Sequence, residues 1–312
     1  MKIISNKDIT NLSILLLIVT LFGFAGRYYW LMDLFSHFRP QYFLGALILG
    51  SASLIIKEKR AIFCNTISLL INLAIIWPLI IFSLPNMISL TNTTYLSANV
   101  LSSNNNYSAL KVLIAKENPD TLLLLEINEA WSKELSYLKK EYPYYIFHPQ
   151  ANNFGLIFLS RRAYTGGLEF FNMGEIYLPY IDVKFNNNTR FIGLHTLPPV
   201  DSIPVQARNQ QMADIASKIT SSNNERFVVM GDFNDTRWSA NFRSFIEKSG
   251  LEEAHKGWHF TWPSFFFPLG IQIDHALIKG FNTQSNIITH STIGSDHFPI
   301  SLQVFEPIEV HP

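Results

Sequence analysis

Three stretches without a formal charge occupy most of the first ninety residues, and no other feature limits the possible folds of this chain as strongly. They run from Ile9 to Ala25, from Pro40 to Ile56 and from Ala61 to Leu84, the last with Pro78 inside it. A bilayer crossing takes about 17 to 25 mostly apolar residues, so the third stretch is comfortably long and the other two are just long enough. Gly45, Ala46, Gly50, Ser51 and Ala52 are small residues of the kind that allow close helix approach. Tyr28, Tyr29 and Trp30 stand where an interfacial aromatic belt is expected. Helices buried in a soluble core are the alternative, but three of them leave too little polar sequence to surface such a domain. Residues 1–90 are therefore expected to form an all-α membrane region with about three transmembrane helices, near 9–25, 40–56 and 61–84.

Only 15% of the 312 residues are charged, and 24 Lys and Arg balance 24 Asp and Glu. That zero hides a split. Up to Leu90 there are 7 basic and 3 acidic residues, which leaves 17 basic and 21 acidic for the remainder, a net of +4 followed by −4. Lys and Arg in short flanks concentrate on the cytoplasmic side. Lys2 and Lys7 in the tail, with Lys57, Lys59 and Arg60 in the second loop, outnumber Arg27 and Arg39 in the first. Three spans then place everything after Leu84 outside the cytoplasm. Reading the first span as a signal peptide, with Gly23 and Ala25 as the small residues before a cut, leads to the same side. The expectation is a multi-pass protein integral to the cell membrane, with an extracytoplasmic C-terminal domain and the lipid bilayer as a partner. The single cysteine, Cys64, excludes a disulfide scaffold and a Cys-based zinc site.

From about Thr93 to Phe305 the pattern changes to short β-rich runs punctuated by turns: Thr94–Leu101, Thr121–Ile127, Gly155–Leu159, Tyr180–Phe185, Arg190–His195, Phe227–Met230, Ile273–Ile278 and Ile300–Val304. Apolar residues at helical spacing predict helices over Tyr107–Glu117, Glu129–Glu141, Val205–Ile219 and Asn241–Lys248. Tyr180–Phe185 and Arg190–His195, separated by an Asn-rich turn, read as an antiparallel hairpin. This mixture predicts an α/β domain of stacked mixed sheets flanked by helices over residues 91–305, with 306–312 as a tail.

Polar residues with metal or proton chemistry stand at the ends of these runs. Asn99 follows Tyr95-Leu96-Ser97-Ala98, Glu126 follows four leucines, His195 ends Phe191–Leu194, and Asp232 and Asn234 lie in Gly231-Asp232-Phe233-Asn234 after Val228-Val229-Met230. Asp274 interrupts an apolar strand, and Ser295-Asp296-His297-Phe298-Pro299 precedes the last one. An ionised carboxylate after four leucines is costly unless a cation or a hydrogen-bond network satisfies it. Singly, each has an ordinary reading: Glu126 as a helix cap, His195 as a core histidine, Gly-Asp-Phe-Asn as a turn. Their joint occurrence in this order is what is specific. His275 is expected to point away from Asp274, since adjacent strand residues face opposite sides. His148, His255, His259 and His290 read as surface or loop residues.

With these residues in view, the chain from about Thr93 to Phe305 resembles the endonuclease/exonuclease/phosphatase superfamily, the deoxyribonuclease I-like fold. The resemblance is carried by Ser97-Ala98-Asn99-Val100, Asn118-Pro119-Asp120, Leu125-Glu126-Ile127-Asn128, Gly155–Arg161, Leu194-His195-Thr196, Gly231–Asn234, Ile273-Asp274-His275 and Gly294–Pro299. Ala207–Gln211, Trp238-Ser239 and Thr261-Trp262-Pro263 resemble a bacterial membrane-anchored branch. The resemblance implies a four-layer sandwich of two mixed β-sheets with helices outside. It implies Glu126 as the main Mg²⁺ ligand, with Asn99 and Asp296 near the metal and Mn²⁺ as an alternative ion, because hard oxygen ligands suit such cations. It implies Asp232 as the group that orients or deprotonates water, Asn234 holding water or a phosphate oxygen, and His195 and Asp274-oriented His297 contacting the phosphate.

The substrate does not follow from the fold. A net of −4 argues against a nuclease that relies on a basic track, although Arg161, Arg162, Arg208, Arg237 and Arg243 leave room for a groove. Trp262 with Phe265, Phe266 and Phe267 just before Asp274 could present a lipid head group if exposed, or fill a core if not. The expected function is a membrane-anchored, metal-dependent phosphoester hydrolase of phosphodiesterase type, acting on a phospholipid or another phosphodiester, with Arg208, Trp262 and the three phenylalanines as substrate contacts. A nuclease acting on nucleic acid and a non-catalytic receptor or scaffold are the alternatives.

Overall fold

The computed structural model describes residues 5–80, 90–222, 225–254, 257–281 and 285–307, and the chain divides into two compact units. Residues 81–84 of the third expected span, His255, the side chain of Phe267 and most of the expected tail lie outside the described residues.

The first unit comprises Met1–Phe82 together with Asp235–Ser244. Its helices are α1 (Asn6–Phe22), α2 (Trp30–Asp33), α3 (Arg39–Ile55) and α4 (Lys59–Ile80). A capping box starts α1: the Ser5 side chain accepts from the Asp8 N–H while the Asp8 carboxylate accepts from the Ser5 N–H. The three long helices share a polar seam. Asn65 Nδ2 donates to Ser13 Oγ at 2.9 Å and to Ser53 Oγ at 3.2 Å, and Asn72 Nδ2 donates to Thr20 Oγ1 at 3.2 Å. The excursion 235–244 joins this unit through Trp238, which packs on Ile76 and Leu79.

The expectation of a multi-pass membrane protein is overturned here. Among the described residues one helix, Lys59–Leu79, is long and apolar enough to cross a bilayer. α1 and α3 have 17 residues each. After the charged residues of their first turns, Lys7, Asp8 and Arg39, they keep uncharged runs of 14 and 16 residues, below the about 17 that a crossing needs. The orientation drawn from flanking charges needed three spans, so the extracytoplasmic placement falls with them.

The second unit, Ser83–Asn234 with Phe245–Pro312, holds the strands. In chain order these are β1 (Leu90–Asn99), β2 (Thr121–Leu125), β3 (Tyr144–His148), β4 (Leu156–Ser160), β5 (Tyr164–Met173), β6 (Ile176–Phe185), β7 (Thr189–His195), β8 (Arg226–Asp232), β9 (Glu252–Glu253), β10 (Asp274–Lys279), β11 (Ser285–Thr289) and β12 (Ile300–Pro307). Helices α5 (Tyr107–Glu117), α6 (Glu129–Glu134) and α7 (Ser202–Ser221) lie between them, and α8 (Ala240–Ser249) begins in the excursion 235–244 and ends in this unit. The predicted helix over Glu129–Glu141 is α6 followed by a separate 3₁₀ stretch, Ser136–Lys140.

One sheet has the order β11-β12-β1-β2-β4-β3 and the other β5-β6-β7-β8-β10-β9. Both are mixed, because β1 runs parallel to β2 and β7 parallel to β8 while the remaining pairs are antiparallel. The predicted β6–β7 hairpin is present. Between the sheets lies a core that includes Tyr95, Leu123, Leu125 and Phe158 from one and Ile181, Phe191, Val228, Met230 and Ala276 from the other. Tyr95 stacks on Phe191 across the gap, ring centroids 5.8 Å apart. The outer face of the first sheet packs on α5 and α6 through Leu110, Leu113, Ile114 and Trp131. On the second, α7 contributes Ala207 to a cluster with Phe171 and Leu178.

Candidate active site

The site is built where several strands of both sheets end. Register places His195 of β7 and Asp274 of β10 directly beside Asp232 of β8, one on each side. Gly231, at φ +137°, permits this: a Cβ there would lie 1.9 Å from the Leu194 carbonyl oxygen. The Asp232 carboxylate is 1% exposed. Its Oδ2 lies 3.5 Å from His195 Nε2 and 3.7 Å from His297 Nε2, and it accepts from Asn99 Nδ2 of the opposite sheet at 3.2 Å. Its Oδ1 accepts from the Asn234 N–H at 2.8 Å. Burial pushes the Asp232 carboxyl up to about 6 despite the nearby imidazoles.

His297 makes a 2.8 Å contact between Nδ1 and Asp274 Oδ2. Burial alone would lower its proton affinity, but the carboxylates of Asp274 and Asp232 outweigh that and lift the imidazole to about 10. His195 moves the other way: burial pushes it below the ordinary histidine value, with Asp232 only partly opposing. The site thus pairs one imidazolium with one neutral imidazole about one buried carboxylate.

Glu126 follows β2 and takes a left-handed conformation, φ +61°, that turns its side chain out of the strand's alternation. Its Oε1 accepts from Asn99 Nδ2 at 2.9 Å and its Oε2 from the Ser102 N–H at 3.2 Å. Burial raises the Glu126 carboxyl above the ordinary range, the two donors only partly opposing, and the charge of Asp296 adds to the rise. Asp296 Oδ2 accepts from Trp262 Nε1 at 3.1 Å, while its Oδ1 is buried without a hydrogen-bond partner. Two neighbouring carboxylates, one with an orphaned oxygen, offer oxygen donors of the kind a hard divalent cation takes, while Asn99 turns its Nδ2 towards Glu126 and its Oδ1 accepts from the Leu101 N–H. A second group of donors, from Asp232, Asp274 and His297, lies mutually within 4.8 Å, and in the helical unit so do donors from Asp33, His37 and Asp235.

A profile of the Endonuclease/Exonuclease/phosphatase family matches residues 96–297. The chain belongs to this family. No curated protein matches it in sequence. Among solved structures it is similar to truncated TDP2 from Caenorhabditis elegans, with a TM-score of 0.55 and 14% identity over 69% of this chain and 98% of that one. TDP2 from D. rerio, complexed with a single-strand DNA product, gives 0.54 and 16% over 69% and 99%. A Bacteroides thetaiotaomicron protein of the same family gives 0.52 and 18% over 72% and 98%. Membership, with the two groups of side-chain donors that lie mutually within 4.8 Å, makes the chain a metal-dependent hydrolase, so the non-catalytic scaffold is set aside.

Of the residues singled out from the sequence of this family member, Asn99, Glu126, His195, Asp232, Asn234, Asp274 and His297 are linked by the contacts above, and Asp296 joins through its effect on Glu126. Arg208 is fully buried on α7, where Nη1 donates to the Asn234 carbonyl at 2.9 Å, beneath the loop rather than on a substrate surface. Trp262 holds Asp296, whereas Phe265 and Phe266 are 79% and 47% exposed. His290, expected at the surface, is buried against Ser301. His275 is buried edge-on to Phe233, away from the site.

Two supporting residues stood in quoted motifs without a role of their own. Thr261 Oγ1 accepts from the Ile273 and Asp274 N–H groups and fixes the start of β10. Thr196 accepts from Asn234 Nδ2 through its carbonyl and donates its hydroxyl to the Phe233 carbonyl. Both lie inside those motifs, Leu194-His195-Thr196 and Thr261-Trp262-Pro263, and that position was the available signal.

Proposed function

We propose that this protein is a Mg²⁺-dependent phosphodiesterase, with Mn²⁺ as an alternative ion, whose substrate carries an apolar portion such as a lipid. The observation that carries the reading is the buried Asp232 carboxylate, met from both sheets by Asn99, His195 and His297. Raised to about 6, Asp232 is suited to take a proton from an attacking water near neutral pH. Asn234, anchored by Thr196 and Arg208, holds that water or a phosphate oxygen. His297, charged and aimed by Asp274, donates to a phosphate oxygen as negative charge develops there. Glu126 and Asp296 would hold the cation, with Asn99 beside it orienting Glu126, and the cation would supply charge neutralisation at the phosphate.

The apolar preference is supported by Phe265, Phe266 and Leu269, all exposed in the segment that Ser264 ties to Asp296 through a 2.8 Å backbone bond. The net of −4 after Leu90 points the same way, away from a polyanion. A bilayer partnership would rest on α4 alone, 21 residues of mean hydropathy 1.9 with Phe63, Leu70 and Trp77 facing outward. The motif likeness of Ala207–Gln211 and Thr261–Pro263 to anchored bacterial relatives is consistent with it.

Nucleic acid is the second reading, favoured by the fold likeness to a TDP2 whose complex contains single-strand DNA product. Turnover of phospholipid vesicles and of single-stranded oligonucleotides with Mg²⁺, by wild type and Asp232→Asn, tests both. The expected result is vesicle hydrolysis that falls about 10²- to 10⁴-fold in the variant. Oligonucleotide cleavage with no lipid turnover would overturn the lipid reading, and an unchanged Asp232→Asn rate would overturn the site.

A further inference from the structure

We infer that the segment Gln150–Gly155 is a strap that sets the distance between the Glu126 side of the site and His195, with Asn153 and Phe154 as its positioning residues. The inference rests on the hydrolase reading above and adds residues that no motif assigned.

The strap is attached at both ends of the site. On the Glu126 side, the Gln150 N–H donates to the Ile127 carbonyl and the Ile127 N–H donates to the Gly155 carbonyl, each at 2.9 Å. These bonds hold the residue next to Glu126 through both its N–H and its carbonyl. Gly155 is required by proximity: a Cβ would lie 1.9 Å from the Ile127 carbonyl oxygen and 2.5 Å from the Gln150 nitrogen. A further link runs through Ser102, whose N–H donates to Glu126 Oε2 and whose Oγ donates to Asn153 Oδ1 at 2.9 Å. On the His195 side, the Phe154 ring lies against the imidazole with centroids 4.9 Å apart and planes tilted by 37°. Phe154 also packs against the buried cluster of Phe171, Leu178 and Ala207, which backs the ring.

Glu126 belongs to one sheet and His195 to the other. The backbone ladders of the two sheets do not connect them, so their separation depends on side-chain packing and on segments that touch both. The strap does this through Ile127 and Ser102 at one end and a ring face at the other. Catalytic geometry tolerates little error, since a misplacement of about 1 Å can cost about a hundredfold. Phe154 touches His195 and no reacting atom is assigned to it, so its role is positional.

The test compares full-length wild type with Phe154→Leu, Phe154→Tyr and Asn153→Ala, using vesicles or oligonucleotides, whichever wild type turns over. Phe154→Leu is expected to lower kcat roughly tenfold or more with KM unchanged, and Phe154→Tyr to restore it, because the ring returns. Asn153→Ala is expected to raise the Mg²⁺ concentration needed for half-maximal rate, since Ser102 loses its brace beside Glu126. The His195 ring protons, followed by NMR, are expected to lose the ring-current displacement from Phe154 in the leucine variant and to keep it in the tyrosine variant. A Phe154→Leu enzyme with wild-type kcat, or unmoved His195 resonances, would overturn the strap. If wild type hydrolyses neither substrate, the functional reading fails, while the NMR comparison still decides the strap.

Discussion

Replacing Asp274 with Asn probes the charge on His297 with little change of shape. The amide oxygen can still accept from Nδ1, and the backbone N–H at 274 still donates to Thr261 Oγ1. What is lost is a unit charge 2.8 Å from the imidazole. At that distance and an effective dielectric of about 20, the attraction is about 6 kcal/mol. Since a tenfold change in proton affinity corresponds to about 1.4 kcal/mol, this returns an imidazole held at about 10 to the ordinary histidine range. Wild-type His297 is then charged throughout the neutral region, whereas the variant's is largely neutral at about pH 8 and refills with protons towards about pH 6. If the imidazolium stabilises developing phosphate charge, kcat/KM at about pH 8 falls about 10²-fold or more. The assay is the ratio of variant to wild-type kcat/KM across that interval. Asp274 also helps to raise Asp232, so removing its charge lowers the variant's acid limb, which changes the ratio by no more than about twofold down to about pH 6 because Asp232 stands at about 6 in the wild type. The ratio is expected to rise at least about tenfold as pH falls from about 8 to about 6. A ratio constant with pH would refute the argument, because it would mean that Asp274 acts through shape alone.

Other expectations follow from named contacts. Asp182, 5% exposed, accepts from Arg190 at 2.6 and 2.8 Å and from Lys218 at 2.6 Å, and these donors outweigh burial to hold its carboxyl below the ordinary range. A carboxyl depressed by folding stabilises above its unfolded value, about 3.9, and the stabilisation disappears as pH falls through the lower folded value. Asp182→Asn should therefore lose about 2 kcal/mol in urea denaturation at neutral pH, discounted for partly exposed partners, and lose less against wild type in strong acid. Gly155→Ala should cost about 2 kcal/mol or more by overpacking against the Ile127 carbonyl, read as a lowered Tm, and should raise the Mg²⁺ requirement. Arg208→Lys should lower kcat roughly tenfold with KM little changed, because a lysine lacks the planar fork that reaches the Asn234 carbonyl.

The sheet arrangement was legible in the sequence wherever strands are buried on both faces, since β2 and β4 read as continuous apolar runs. Strands β3, β5, β9 and β11 were not anticipated. β5 carries Gly166 and Gly167 with exposed residues between apolar ones, and β9 has two residues, so neither offers a periodic signal. The site's polar ends were legible because each follows an apolar strand. Arg208 was misleading, because a basic residue in a phosphoester enzyme suggests an anion contact, whereas its burial beneath Asn234 depends on the packing of α7. The helical segment misled through length. Apolarity was read over uncharged windows, but within α1 and α3 such windows last 14 and 16 residues, the second expected loop begins α4, and among the described residues only α4 reaches crossing length.

The site can be understood as the open end of the core between the sheets. Alternation places every second strand residue on one face. Val228 and Met230 fill that core, and Asp232 continues their series; Ala276 and Ile278 fill it, and Asp274 precedes them in the same phase. Phe191 leads in two steps to His195, and Tyr95 in two steps to Asn99. Carboxylate, imidazole and amide thus occupy positions that would be apolar one layer deeper. This explains why they are almost fully buried, why Asp232 is raised, and why His275, one residue out of phase with Asp274, packs elsewhere. Glu126 is the exception, since Leu123 and Leu125 carry the inward phase and Glu126 is out of step. Its left-handed backbone corrects the phase, and the bonds from Gln150 to Ile127 and from Ile127 to Gly155 keep the next residue fixed. A positive φ at a non-glycine residue is strained. It falls at the one carboxylate that strand periodicity alone would have aimed away from the site.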